Sequence, residues 1–97
     1  MKKYEISLEK LEAIKNLFGE AVLELDKHDL CNDEVAFHDI MSNGANGIIW
    51  HIDMEFEELP ESVVLALDNL HDEVWNSFDD VELKDEFIEE FLGEFYM

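Results

Sequence analysis

A mainly α-helical fold, a small compact bundle of four to five helices, is what this sequence of 97 residues predicts. Three observations carry that prediction. Apolar residues recur at three- and four-residue spacing through most of the chain. Only one Pro and four Gly interrupt it. The connections between periodic segments are short, which favours antiparallel neighbours. The length suits one domain, residues 1–97, and no linker, internal repeat or low-complexity tract divides it. The charge of -20 would suggest disorder, but 47% hydrophobic and 11% aromatic residues supply enough material for a core.

The first helix is expected from about Leu8 to Leu25. Ser7 can cap it by accepting an early backbone N–H. Leu11, Ile14, Phe18, Ala21, Val22 and Leu25 make its apolar stripe. The polar stretch Asp26 to Asn32 ends it. A second, short helix follows with Asn32 or Asp33 as cap, burying Val35, Phe37, Ile40 and Met41 and stopping near Gly44. Residues 44–59 read two ways. Ile48, Trp50, Ile52, Met54 and Phe56 alternate like a strand, around 48–56. Ile48, Ile49, Ile52, Phe56 and Leu59 also share one helical face. A strand here would have only Lys3-Tyr4-Glu5-Ile6 to pair with, so helix is preferred. Pro60 fits the first position of the next helix, where its missing N–H does no harm. Val63, Val64, Leu67, Leu70, Val74, Trp75 and Phe78 form its stripe. Asp79-Asp80 interrupts. A last helix from about Val81 buries Phe87, Ile88, Phe91, Leu92 and Phe95.

The charge is uneven. Residues 1–52 hold ten acids and five Lys, whereas residues 53–97 hold sixteen acids and one Lys, Lys84; Arg is absent throughout. Such a surface repels anionic membranes and nucleic acid itself, so the expected partner is basic. No run approaches the ~20 apolar residues that span a bilayer. The N-terminus lacks a signal-peptide run, and one cysteine, Cys31, suits a reducing compartment. The expectation is a cytoplasmic protein.

Catalytic patterns are weak. Cys31 stands among Asp29, Asp33 and Glu34, and negative neighbours work against the thiolate a nucleophile needs. Ser7, Ser42, Ser62 and Ser77 lie in no nucleophile elbow. Asn43-Gly44-Ala45-Asn46-Gly47 lacks the spacing and the basic residue of a phosphate loop, and reads as a turn or helix boundary. Asp68 and His71 are a carboxylate–imidazole pair at i, i+3, of the kind di-iron bundles use twice with two further Glu. One copy alone reads more simply as a solvated Asp and a His at the border of the stripe. Glu34 with His38, and His51 with Asp53, follow no ligand spacing. No cofactor and no enzymatic activity are expected.

The acids themselves are the candidate site. Asp53, Glu55, Glu57, Glu58 and Glu61 form one group. Asp79, Asp80, Glu82, Asp85, Glu86, Glu89, Glu90 and Glu94 form another. On the last helix they return every three to four residues, a pitch of roughly 5–6 Å at 1.5 Å per residue. Successive phosphates of a nucleic-acid strand lie on the order of 6–7 Å apart. Like charges at i, i+4 destabilise a helix by a few tenths of a kcal/mol, and ordinary surface helices interleave Lys to avoid this. A merely solubilising face is the plainer explanation, but such faces are spread evenly and this one is not. Trp50 leaves the helical face of its neighbours and is the candidate apolar anchor, with Tyr96 a second.

A small, Arg-free helical chain with acid pairs along its helices (Glu57-Glu58, Asp72-Glu73, Asp79-Asp80, Asp85-Glu86, Glu89-Glu90) resembles the DNA-mimic proteins of phages and mobile elements. The likeness is one of class, in size and charge, and carries no motif. The stretch from Phe37 to Asp53 is also similar to a segment of small phage proteins, without implying chemistry. The resemblance implies an anti-defence protein, anti-CRISPR or anti-restriction, that binds the nucleic-acid groove of a basic host protein and blocks DNA by competition. An immunity protein or antitoxin against a basic nuclease has the same charge logic. A small metal-binding protein using Asp68 and His71 is the alternative from another class. A strand at 48–56 would add homodimerisation by edge pairing.

Overall fold

In the computed structural model, which describes residues 5–96 and side chains as far as Glu94, three long helices follow the apolar spacing closely. Helix α1 spans Leu8–Lys27, α2 Glu34–Asn43, α3 Ala45–Ile48, α4 Glu61–Ser77 and α5 Val81–Tyr96. Two 3-10 turns, Ile49–His51 and Phe56–Glu58, lie between α3 and α4. No strand occurs among the described residues.

Local chemistry sets the helix ends. The Ser7 hydroxyl accepts the Lys10 N–H at 3.2 Å and starts α1. The helix closes two residues later than expected. Asp29 takes the left-handed conformation (φ 58°). Its N–H then reaches the Asp26 carbonyl, and the Leu30 N–H reaches that of Leu25. This pair of bonds satisfies two orphan carbonyls, and Leu30 folds back onto the core. Asp33, one of the two candidate caps, starts α2 by accepting the Ala36 N–H at 2.9 Å. Pro60 sits one position before α4 as its cap residue, not at the first helical position.

The 44–59 segment is neither the continuous helix preferred from sequence nor a strand. Gly44 ends α2 and turns the chain with φ 73°, a conformation L side chains rarely adopt. Helix α3 then packs tightly back on α2. A Cβ on Gly47 would collide with the Asp39 carbonyl. One turn is all that fits before the backbone extends at Ile52. The Lys3–Ile6 pairing segment lies largely outside the described residues.

Helix α1 packs along α4, and α2 bridges α4 and α5. The core is contiguous and draws on Ile14, Phe18 and Leu25, on Phe37, Ile40 and Met41, on Leu67, Leu70 and Val74, and on Phe87, Ile88 and Leu92. Phe18 links three helices, its ring 4.6 Å from that of Phe37 and 5.3 Å from that of Phe91. The radius of gyration is 12.9 Å, close to the roughly 12.5 Å of a compact chain of this length.

Several stripe residues stay outside this core. Val35 is 64% exposed, because the buried face of α2 is only wide enough for Ala36, Phe37, Ile40 and Met41. Trp75 is 41% exposed, and its indole N–H donates to the Ser42 carbonyl at 3.2 Å. Phe56 is exposed in its 3-10 turn. Leu11, Val22 and Val64 are partly buried against the core. Phe95 lies beyond the described side chains. No helix among the described residues is long and apolar enough to cross a membrane.

Candidate acidic interface

The acids of α5 stand on the side opposite its core residues. Taking 100° per residue, Asp85, Glu89, Glu82, Glu86 and Glu90 occupy an arc of about 140°, while Lys84, Phe87, Ile88 and Phe91 point the other way. Glu82, Asp85, Glu89, Glu90 and Glu94 are exposed, and Glu86 is half-buried. From Glu82 to Glu90 the row is about 12 Å long at 1.5 Å per residue, and Glu94 falls about 40° outside its arc one turn further on. Among the described residues none of these carboxylates forms an ion pair; the pairs present are Lys27–Glu24, His28–Glu24 and His51–Asp39. The only lysine of the helix is turned inward, with its Nζ 3.7 Å from the centre of the Trp75 ring. It therefore does not neutralise the outer face.

Asp80 has a structural task beside any binding role. Its Oδ1 accepts the Glu82 N–H at 2.7 Å and its carbonyl accepts the Lys84 N–H at 3.1 Å, which starts α5. Asp79 is exposed beside it.

The earlier group, Asp53, Glu55, Glu57, Glu58 and Glu61, surrounds the second 3-10 turn and the start of α4, and all five are exposed. Glu58 is partly committed, because its Oε1 accepts the Glu55 N–H at 2.9 Å. Glu61 opens α4, where the positive end of the helix dipole favours it. The length of α4, about 24 Å at 1.5 Å per residue, separates this group from Asp79 and Asp80. The sequence groups thus begin at opposite ends of one helix.

Trp50 is 64% exposed and stands in the 3-10 turn next to the first group. That turn is fixed from α2. His51 Nε2 lies 2.6 Å from Asp39 Oδ2, with both side chains partly buried. Asp39 went unnoticed in the sequence because its partner lies twelve residues away and shares no helical face with it. Tyr96 lies beyond the described side chains.

Asp68 and His71 meet at the Gly44 turn. Asp68 Oδ1 accepts the Ala45 N–H at 2.9 Å, and His71 Nδ1 lies 3.0 Å from the Met41 carbonyl oxygen. A carbonyl can only accept, so Nδ1 carries a proton. The i, i+3 pair therefore clamps the junction of α2 and α3. No group of three or more His, Cys, Asp or Glu converges as a metal site among the described residues.

No family model, curated protein or solved structure matches this chain.

Proposed function

We propose that the chain is an acidic DNA mimic that occupies the nucleic-acid groove of a basic host defence protein, in the manner of an anti-CRISPR or anti-restriction inhibitor. One observation carries the reading: the α5 carboxylates, all exposed but the half-buried Glu86, are unpaired among the described residues and repeated at near-phosphate pitch. A groove lined by Lys and Arg would meet this row as it meets a strand of phosphates. Long-range attraction would speed the encounter, and Trp50 would supply an apolar anchor. The protein contributes binding and exclusion and performs no chemistry.

The test is capture from a host lysate at low salt, followed by competition on the retained basic protein. A DNA duplex should displace the chain from that protein. Raising salt to about 0.5 M, where the Debye length falls to about 4 Å, should weaken the complex sharply. A complex that binds DNA and this chain together, or that ignores the salt, would refute the mimicry. A captured toxin nuclease in place of a defence complex would make this an immunity protein.

A further inference from the structure

The segment Asn43-Gly44-Ala45-Asn46-Gly47 joins α2 to α3 and holds two Asn-Gly pairs. The fold demands both glycines, Gly44 for its φ of 73° and Gly47 for its approach to the Asp39 carbonyl. Asparagine is a thermolabile residue. It loses its amide fastest before glycine, whose nitrogen no side chain covers. The reaction needs only water. The glycine backbone nitrogen gives up its proton and attacks the asparagine Cγ. The new C–N bond closes a five-membered succinimide, and the side-chain nitrogen leaves with that proton as ammonia. Water then opens the ring at one carbonyl or the other. One product is aspartate. The other is isoaspartate, in which the main chain runs through Cγ and is one carbon longer.

The fold holds both pairs back, but by different means. Both asparagines are exposed and both glycines are buried. Closing the ring turns ψ of the asparagine away from the helical value of about -42°, so each pair reacts only when its helix opens locally. Asn43 ends a helix of ten residues. The Gly44 N–H donates to the Ile40 carbonyl at 2.6 Å, and the Asn43 side-chain amide donates to the Asp39 carbonyl at 3.2 Å. Its Cγ is thereby held by a bond of its own. Asn46 lies in α3, which has four residues and no side-chain cap of its own. That is far below the roughly 12–15 residues at which a helix stands alone. The Gly47 N–H donates to the Gly44 carbonyl at 2.9 Å. From outside α3, Asp68 on α4 accepts the Ala45 N–H at 2.9 Å and keeps the turn closed.

We infer that Asn46–Gly47 is a slow self-modification site of the native protein, gated by the Asp68 carboxylate. When α3 opens, the Gly47 nitrogen closes on Asn46 and the change becomes permanent. The isoaspartyl chain cannot reseat, because Gly47 has no spare room against the Asp39 carbonyl. Ile48, fully buried beside it, then loses its place in the core, and the Trp50 turn that continues from α3 loses its support.

The experiment ages the full-length protein at physiological temperature and mildly alkaline pH, natively and in denaturant. Peptide mapping by mass spectrometry reads the exchange of amide nitrogen for oxygen at each asparagine. In denaturant the two pairs should convert at similar rates. In the native protein both should slow, with Asn46 severalfold ahead of Asn43. Asp68→Ala should speed Asn46 about tenfold, the worth of a hydrogen bond to a charged group. Asp68→Asn keeps an acceptor oxygen and should stay near the parent rate. The aged parent should melt at a lower temperature than fresh protein, whereas aged Asn46→Ser should not. If Asp68→Ala does not fold, the ratio of the two sites in the parent decides. Native conversion of Asn43 as fast as Asn46, no conversion at Asn46, or equal rates in Asp68→Ala and the parent would overturn the assignment. None of these outcomes depends on the DNA-mimic reading.

Discussion

Helix α1 carries five acids and three lysines along Leu8–Lys27, and α5 carries six acids and one lysine along Val81–Tyr96. Both bury one apolar face and leave the other to solvent. On α1 the lysines all reach solvent, Lys10 and Lys27 exposed and Lys15 half-buried, and Lys27 pairs with Glu24 at 3.1 Å. On α5 the lone lysine lies under Trp75, on the inner side. The difference teaches that acidity alone does not define a surface; where the counter-charge is placed does. Evenly solubilising charge would tolerate a compensating lysine on the outer face. A face that must present negative charge to a basic partner would exclude it.

The sharpest way to break this contrast is to neutralise each helix in turn. Changing Glu82, Glu86, Glu89 and Glu90 to Gln should weaken binding to the captured basic protein on the order of a hundredfold, at roughly 0.7 kcal/mol per exposed ion pair. The same change at Glu9, Glu12, Glu20 and Glu24 should leave affinity within about threefold, since non-contacting charges act only through the screened long-range field. Equal losses, read by titration calorimetry at fixed salt, would reduce the interface to diffuse attraction.

Trp50 tests whether the acids act with an anchor. Its side chain is mostly exposed and its turn is pinned by His51 and Asp39, so removing the indole should leave the fold intact. Trp50→Ala should change stability by less than about 0.5 kcal/mol, as surface substitutions do. As a hot spot it should lower partner affinity by about 2 kcal/mol, near thirtyfold. An unchanged affinity would confine the interface to α5, some way from this turn.

The two helices should also respond to neutralisation with different signs of stability. Four carboxylate pairs on α5 stand at i, i+4: 82 with 86, 85 with 89, 86 with 90, and 90 with 94. The α5 variant relieves all four, a gain of about 1 kcal/mol at low ionic strength. That corresponds to a Tm increase of about 4–8 °C for a domain of this size. On α1 the relief of Glu20 against Glu24 is offset by the lost Glu24–Lys27 pair, so little change is expected. A fall in Tm for the α5 variant would mean that its acids support the fold.

Helices α1, α4 and α5 were legible because their apolar spacing is long and regular, and their ends fell within about two residues of expectation. The 44–59 segment was not, because its pattern fits two periods. Its outcome depends on tertiary facts: Gly47 against the Asp39 carbonyl, and Asp68 from α4 holding the Ala45 N–H. The stripes overestimated burial at Val35 and Trp75, since spacing shows which face turns inward but not how wide the neighbouring helix is. For the site, the α5 row and the exposure of Trp50 could be read from residue spacing. The separation of the two acid groups by the length of α4, and the inward turn of Lys84, could not. Both depend on where helices stand relative to one another.

Not every acid belongs to the charged face, and Asp33 gives the smallest and most specific contrast with α5. It accepts the Ala36 N–H at 2.9 Å, and that bond holds its carboxyl below the ordinary value of 3.8, against the opposing effect of burial. A depressed folded-state pKa stabilises the native protein fully above the unfolded value. The contribution is lost as pH falls through the folded value. Asn is as good a cap as Asp but does not titrate. Asp33→Asn should therefore fold within a few tenths of a kcal/mol of the parent at neutral pH, whereas Asp33→Ala should lose about 1 kcal/mol. Below about pH 3.8 the parent alone loses its charged cap, so its stability relative to Asp33→Asn should fall as the pH drops. Denaturant unfolding at neutral pH and at successively lower pH measures this directly. A constant difference between the two proteins across that range would show that Asp33 is a neutral spacer, and that α2 is held by Phe37, Ile40 and Met41 alone.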